Sequence, residues 1–151
     1  MKNRHNPILI SACLLGVNTR YDGTNALHKE IIKKYSHKIL IPICPEQLGG
    51  LPTPRPKAEV IPPVPSLKKK WKVAVKVINI NGRDVTKEFT NGANEVLKMA
   101  ELLGASKAVL KEKSPSCGVN RIYRDGKLVE GTGITARLLK DNGIDIEGVG
   151  L

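Results

Sequence analysis

Residues 7–16 read PILISACLLG, a short apolar run followed by Cys13. The length and β-branched content of residues 7–12 predict a buried strand. A second isoleucine-rich run at residues 39–43 predicts another strand, and Cys44 follows it directly. A third run, at residues 108–110, leads into the segment that contains Cys117. Each of the three cysteines is therefore predicted to lie just past a strand.

Helical patterns separate these strands. Thr24 or Asn25 is the predicted cap of a first helix, whose apolar positions recur every four residues. A second and clearer helix is predicted to begin at Asp84 or Thr86 and to bury one apolar face. A third helix is predicted before the last strand, which covers residues 144–146. The alternation of strand and helix predicts a mostly parallel sheet covered on both faces.

Three further segments complete the predicted order of elements. Residues 45–65 hold seven of the ten prolines and predict a long, stiff loop, of the kind that is usually functional. Residues 71–80 are rich in valine and isoleucine and predict a further strand. Residues 121–129, around Asp125-Gly126, predict a small hairpin.

The predicted fold class is therefore α/β, a Rossmann-like three-layer sandwich in a single domain of residues 1–151. Such sheets bind ligands beyond the carboxyl ends of their strands, and all three cysteines are predicted at that edge. The sequence shows no apolar run of membrane-spanning length and no convincing signal peptide. An odd number of cysteines without close spacing favours a reducing compartment, so we expect a cytoplasmic protein.

Positive charge is concentrated in the first half of the chain. The formal net charge is +11, and residues 1–80 hold 14 Lys and Arg against 4 Asp and Glu. The densest part contains Lys68, Lys69 and Lys70, next to Trp71. Such a run suits a polyanion such as nucleic acid, although a basic run is also often a solvated surface. Because aromatic residues are only 3% of the chain, nucleic acid would have to be bound mainly through phosphates.

Both zinc and iron-sulfur clusters bind through thiolates. The close CxxC pairs of zinc ribbons are missing here. A cluster is wider than a single ion and can bridge cysteines from three separate loops. With three cysteines, one iron would lack a protein thiolate, which favours a Lewis-acid site over a simple electron carrier. His5, His28 or His37 could supply a fourth ligand, but ordinary surface positions are expected for these histidines.

The contexts of the three cysteines resemble those of the thiouracil desulfidase family, and the resemblance covers nearly the whole chain in the same order. The segments that carry it are 11–16, SACLLG; 21–23, YDG; 44–56, CPEQLGGLPTPRP; 84–86, DVT; and 111–118, KEKSPSCG.

This resemblance implies a 4Fe-4S cluster held by Cys13, Cys44 and Cys117, whose fourth iron binds the sulfur of the substrate. It also implies that Glu46 is the acid/base residue, and that Ser114 or Ser116 positions substrate or water. The chemistry is consistent with this, because a thiocarbonyl sulfur is soft and prefers iron to a hard cation. Water deprotonated by Glu46 could then attack the ring carbon, with no net electron transfer.

The predicted reaction is removal of sulfur from a thiolated pyrimidine, with 4-thiouridine in tRNA preferred over free thiouracil because of the basic charge. Arg55, Lys68, Lys69 and Lys70 are the predicted substrate-binding residues; Arg55 could instead hold the proline-rich loop against Glu59. One alternative is a nucleic-acid-binding module with a structural metal site, and another is a small redox carrier. The oligomeric state stays open.

Overall fold

The computed structural model describes residues 6–61 and 75–150. Within these ranges the strands are β1 (Ile8–Ser11), β2 (Leu40–Ile43), β3 (Ala58–Ile61), β4 (Lys76–Asn79), β5 (Lys107–Lys111), β6 (Arg121–Arg124), β7 (Lys127–Glu130) and β8 (Asp145–Val149). The α-helices are α1 (Lys29–Lys34), α2 (Pro45–Leu48), α3 (Thr86–Leu103) and α4 (Ile134–Asp141), and a 3-10 helix covers Ala12–Leu15.

The central sheet contains four parallel strands in the order β2-β1-β5-β8. In its register Ile10 pairs with Pro42 on one side and with Val109 on the other. The sheet confirms the predicted α/β class. Because β2, β1 and β5 are direct neighbours, the chain segments that leave them meet at one edge.

Helices cover both faces of this sheet. Leu9 packs on one face with Val96 of α3 and Leu139 of α4. Ile10, the next residue of β1, packs on the opposite face with Ile31 of α1. All these side chains are buried, and each contributes about 1.5–3 kcal/mol through removal from water. The predicted three-layer arrangement is confirmed.

Two smaller sheets lie outside the central one. β3 and β4 form an antiparallel pair, so the proline-rich segment is not a continuous loop, and β4 does not extend the parallel sheet as the sequence suggested. β6 and β7 form the predicted hairpin, with Asp125 and Gly126 at positive φ in its turn. Phe89 of α3 packs against both small sheets and joins them to the main body.

The first helix begins later than predicted. His28 precedes α1, and its Nδ1 accepts a hydrogen bond from the Ile31 N–H, so a histidine fills the cap position. Thr24 and Asn25 make local turns instead, since the Thr24 N–H donates to Asp22 and the Asn25 side chain accepts from Leu27.

α3 begins within a residue of the prediction. Asp84 Oδ1 accepts from the Thr86 N–H, and the helix ends at Gly104 in the left-handed conformation. Among the described residues, no helix is both long and apolar enough to cross a membrane.

Candidate active site

Cys13, Cys44 and Cys117 lie at the carboxyl edge of the sheet, as predicted. Cys13 is in the 3-10 helix after β1, Cys44 directly follows β2, and Cys117 is in the loop after β5. The three thiols are free and line one cavity of about 450 Å³. Three residues that are far apart in the sequence thus belong to one site.

Burial keeps these thiols protonated in the absence of a metal. It raises the pKa of Cys117 to about 12, and the neighbouring hydroxyls of Ser11 and Ser116 only partly oppose this effect. Burial also raises the pKa of Cys13, against the nearby Lys111 cation, and that of Cys44, against a backbone hydrogen bond and Arg55. Metal binding here would therefore release protons, as it does at thiolate sites generally.

The spacing of the donors does not suit a single ion. Across residues 6–61 and 75–150, no group of three His, Cys, Asp or Glu side chains is arranged to hold one. The histidines do not add a ligand: neither His28, the α1 cap, nor the exposed His37 lines the cavity, and His5 lies outside the described residues. The three thiols around one cavity fit the wider iron-sulfur cluster better than zinc.

Glu46 enters the same cavity from the first turn of α2. Pro45 occupies the start of this short helix, which suits its fixed φ, and Cys44 is the residue before it. The Glu46 side chain is 12% exposed. Its Oε1 accepts from Arg55 Nε at 2.7 Å, and its Oε2 accepts from Ser116 Oγ at 3.0 Å. Both carboxylate oxygens are thus held beside the cysteines.

The two predicted serines have different contacts. Ser114 Oγ accepts from the backbone N–H groups of Ser116 and Cys117, which shapes the turn that carries the third cysteine. Ser116 Oγ lies 3.0 Å from Ser114 Oγ and donates to Glu46. Because Ser116 donates to the carboxylate, Ser114 is the donor in the contact between the two hydroxyls.

Arg55 lies within the proline-rich segment, between Pro54 and Pro56, and is buried, with 4% of its side chain exposed. It pairs with Glu46 and does not contact Glu59 in this structure. Glu59 instead accepts from the backbone N–H groups of Asp125 and Gly126 at the tip of the β6–β7 hairpin. The suggested Arg55–Glu59 pairing is therefore wrong, because β3 places Glu59 against the hairpin.

A close helix contact fixes the position of α2. A Cβ added at Gly92 of α3 would lie 1.9 Å from the Pro45 carbonyl oxygen, and one at Gly49 would lie 1.9 Å from the Glu88 carbonyl oxygen. Only glycine allows the two backbones to approach this closely. The helix that carries Glu46 is thus set in place by two glycines outside the cavity.

A buried carboxylate fixes the Cys117 loop. Glu112 is 1% exposed and accepts hydrogen bonds from the backbone N–H groups of Val119, Asn120 and Arg121. Sequence reasoning did not single out Glu112, although it lies in the quoted KEKSPSCG segment. A charged residue directly after a buried strand was the available signal.

Several cations surround the cavity. Arg20 and Lys57 lie over the Tyr21 ring, at 5.7 and 5.9 Å from its centroid, and Lys113 also lines the cavity. Lys111 is half-buried beside Cys13, and burial lowers its pKa. The predicted basic residues Lys68, Lys69 and Lys70 lie outside the described residues. Apart from Arg55, the described positive charge at the site therefore comes from residues that the sequence analysis did not assign.

Fold and site together define an α/β protein with a thiol-lined cavity at the carboxyl edge of a parallel sheet, and with a hydrogen-bonded carboxylate in that cavity. The family model described as 2-thiouracil desulfurase matches residues 8–148. The chain belongs to this family, which confirms the resemblance.

Two relatives extend this finding. The uncharacterized protein YbbK of Bacillus subtilis (strain 168) is 40% identical over 139 residues, which cover 90% of this chain and 91% of that protein. The solved structure of the [4Fe-4S]-dependent thiouracil desulfidase TudS is similar, with a TM-score of 0.77 and 37% sequence identity. The likeness to TudS covers 95% of this chain and 90% of that one.

Proposed function

We propose that this protein is an iron-sulfur-dependent desulfidase that removes sulfur from a thiolated pyrimidine, releasing sulfide and leaving uracil or uridine. The observation that carries the proposal is the meeting of Cys13, Cys44 and Cys117 with Glu46 in one cavity. Membership of the 2-thiouracil desulfurase family and the likeness to TudS support the same activity.

The donor set fits a 4Fe-4S cluster held by the three cysteines. Thiolates are the ligands that such clusters take, and Arg55 donates an N–H toward the Cys44 sulfur. With three cysteine ligands, the cluster would supply an iron with an open position, which acts as a Lewis acid toward the soft thiocarbonyl sulfur.

The protein's own residues perform the proton transfer. Glu46 would take a proton from water, and the resulting hydroxide would attack the ring carbon that bears sulfur. The carbon–oxygen bond forms and the carbon–sulfur bond breaks. The hydroxyl proton and the proton held by Glu46 both leave, one with the sulfur as HS⁻ and the other to the HS⁻ or to solvent, so that the carbonyl forms and the Glu46 carboxylate is regenerated. Arg55 and Ser116 orient the carboxylate for this transfer through Oε1 and Oε2. Oxygen replaces sulfur without any change in electron count, so no reductant is required.

For the substrate we propose thiouridine within tRNA over free thiouracil. Phosphates attract the cations Arg20, Lys57 and Lys113 at the cavity, and each neutralised phosphate releases counterions. Free thiouracil has no phosphate and gives these cations no role. The target base would have to leave its stack, which costs a few kcal/mol that phosphate contacts could offset.

The test of the activity uses protein purified and assayed without oxygen. The proposal predicts about four irons and four sulfides per chain, and sulfide release from thiolated pyrimidines. Each of Cys13→Ser, Cys44→Ser and Cys117→Ser should lose both the iron and the activity. Stoichiometric zinc without iron would instead support the alternative of a structural metal site.

The substrate has its own test, in which thiolated tRNA, 4-thiouridine monophosphate and free thiouracil are compared at two salt concentrations. Replacing Lys68, Lys69 and Lys70 together by Glu should sharply lower the activity on tRNA and make that activity less dependent on salt. The activity on the free base should not change. The control replaces the exposed Lys87, Lys98 and Lys140 by Glu, an equal change of charge in the other half of the chain. Equal loss on all substrates, or none on tRNA, would contradict a tRNA substrate.

We also propose a cytoplasmic location, which the three free cysteines support. Cell fractionation tests this, and recovery of the protein outside the cytoplasm would contradict it.

A further inference from the structure

Arg55 makes an unusually complete set of contacts beside the three cysteines. Its Nε donates to Glu46 Oε1 at 2.7 Å. Its Nη1 donates to the Pro52 carbonyl at 3.2 Å and to Thr53 Oγ1 at 2.9 Å. Its Nη2 donates to the Thr19 carbonyl at 2.9 Å and to Cys44 Sγ at 3.9 Å. The guanidinium thus touches both the predicted acid/base residue and a predicted metal ligand.

These contacts leave little capacity for a ligand. A guanidinium has five N–H groups, and within the described part of the chain each of them has a protein acceptor. The side chain is only 4% exposed, so a substrate group would have to displace an existing partner. The geometry therefore disfavours direct substrate binding by Arg55.

We propose that Arg55 is a positioning residue that couples Glu46 to Cys44: it holds the Glu46 carboxylate toward the reacting water and donates an N–H to the Cys44 sulfur. This inference rests on the proposed function, and it replaces the substrate contact that the sequence suggested. The two halves of the role have separate consequences. Loss of the Glu46 contact slows turnover, and loss of the N–H···S contact lowers the reduction potential of the cluster, because hydrogen bonds to sulfur stabilise the more negative reduced state.

Lysine cannot take over this role. It retains the positive charge but has three N–H donors on one nitrogen, so it cannot reach Glu46, Thr19 and Cys44 in the fork geometry of arginine. Arg55→Lys therefore tests geometry with charge retained. Arg55→Gln tests the loss of charge, but it leaves the Glu46 carboxylate without its cation in a buried site. The double variant Glu46→Gln with Arg55→Gln removes both charges and avoids that imbalance.

The experiment compares cluster-loaded wild type with Arg55→Lys, Arg55→Gln, Glu46→Gln and the double variant, all prepared without oxygen. Arg83→Gln is the matched control, because Arg83 is exposed and pairs with Glu88 away from the cavity. We expect Arg55→Lys and Arg55→Gln to lower kcat about 10–100-fold with KM nearly unchanged. Adding Arg55→Gln to Glu46→Gln should lower turnover little further, yet should still lower the potential measured by an electrochemical titration monitored by EPR.

The outcomes separate this inference from the proposed function. A raised KM with unchanged kcat would show that Arg55 binds substrate and would overturn the inference. An unchanged potential in both Arg55→Lys and the double variant would overturn the link to Cys44, whether or not Arg55→Gln folds. Wild type that takes up no cluster or releases no sulfide would instead contradict the proposed function itself.

Discussion

Ser116 donates a hydrogen bond of 3.0 Å to Glu46, although the two residues lie 70 positions apart in the chain. Glu46 comes from the helix after β2 and Ser116 from the loop after β5, with β1 between these two strands. Ser116 holds Oε2 of Glu46, and Arg55 holds the other carboxylate oxygen, Oε1. The parallel sheet thus assembles an oriented carboxylate from distant segments.

The first prediction concerns Glu46→Gln. The variant should keep its iron, because the three cysteines are untouched, and should lose about 10²–10⁴-fold in kcat, as expected for a general acid/base group. Sulfide release under anaerobic conditions, with iron content measured on the same sample, checks this. The control is Glu95→Gln, which removes an exposed α3 carboxylate paired with Lys98. Near-normal turnover by Glu46→Gln would mean that the carboxylate is structural.

The second prediction separates the two serines. Ser116→Ala removes the donor to Glu46 and should lower kcat about 10–100-fold while iron content is retained. Ser114→Ala leaves the backbone N–H groups of Ser116 and Cys117 without their acceptor, so it should destabilise the fold by about 1–3 kcal/mol and weaken iron retention. Turnover, iron content and urea unfolding are measured for both. Identical behaviour of the two variants would contradict these separate roles.

The third prediction concerns Gly92, which lies outside the cavity. Gly92→Ala places a methyl group against the Pro45 carbonyl and must displace α2. We expect a loss of about 1–3 kcal/mol in the free energy of unfolding, together with reduced turnover because Glu46 moves with the helix. Asn91→Ala, at the exposed neighbouring position of α3, is the control and should change little. Wild-type stability for Gly92→Ala would show that the two helices can separate without cost.

The fourth prediction is a pH dependence of stability at Glu147. Burial raises the pKa of this carboxyl, but hydrogen bonds from Tyr35, Lys34 and Lys107 outweigh it, and the net pKa is lowered. In the unfolded chain the pKa of a glutamate is about 4.3. Because the pKa of Glu147 is lower in the folded protein, this carboxylate stabilises the fold above about pH 4.3. The stabilisation is lost as the pH falls through the folded pKa. Urea unfolding at pH 7 and near pH 3 should show a smaller drop for Glu147→Gln than for wild type. An equal drop would contradict this contribution.

The strand-terminal cysteines can be predicted from sequence because short apolar runs give both the strands and the points at which they end. Parallel topology then brings Cys13, Cys44 and Cys117 to one edge with no knowledge of side-chain contacts. Glu46 lies two residues after Cys44, in the short helix that Pro45 starts, but it was singled out only by the resemblance to the family. The cysteine positions depend on local sequence patterns and on the rule that the carboxyl ends of parallel strands meet at one edge of the sheet.

The contacts of Arg55 could not be predicted in this way. Its partner depends on the path of the chain between α2 and β3, and a run of prolines suggests a loop without giving its direction. β3 itself was missed because Ala58–Ile61 is short and adjoins prolines, and it becomes a strand by pairing with β4. The cap at His28 was missed for a related reason, since Thr24 and Asn25 are better cap residues by preference but bond locally in turns.

The central claim is that sulfur leaves by hydrolysis at the thiol-lined cavity, with Glu46 activating water. The most direct measurement is a single turnover of the anaerobic, cluster-loaded enzyme with thiolated substrate in ¹⁸O-labelled water, without any electron donor. The account predicts one sulfide released and one ¹⁸O atom in the pyrimidine product for each turnover, with both nearly absent in Glu46→Gln. Sulfide release that requires a reductant, or product without ¹⁸O, would contradict it.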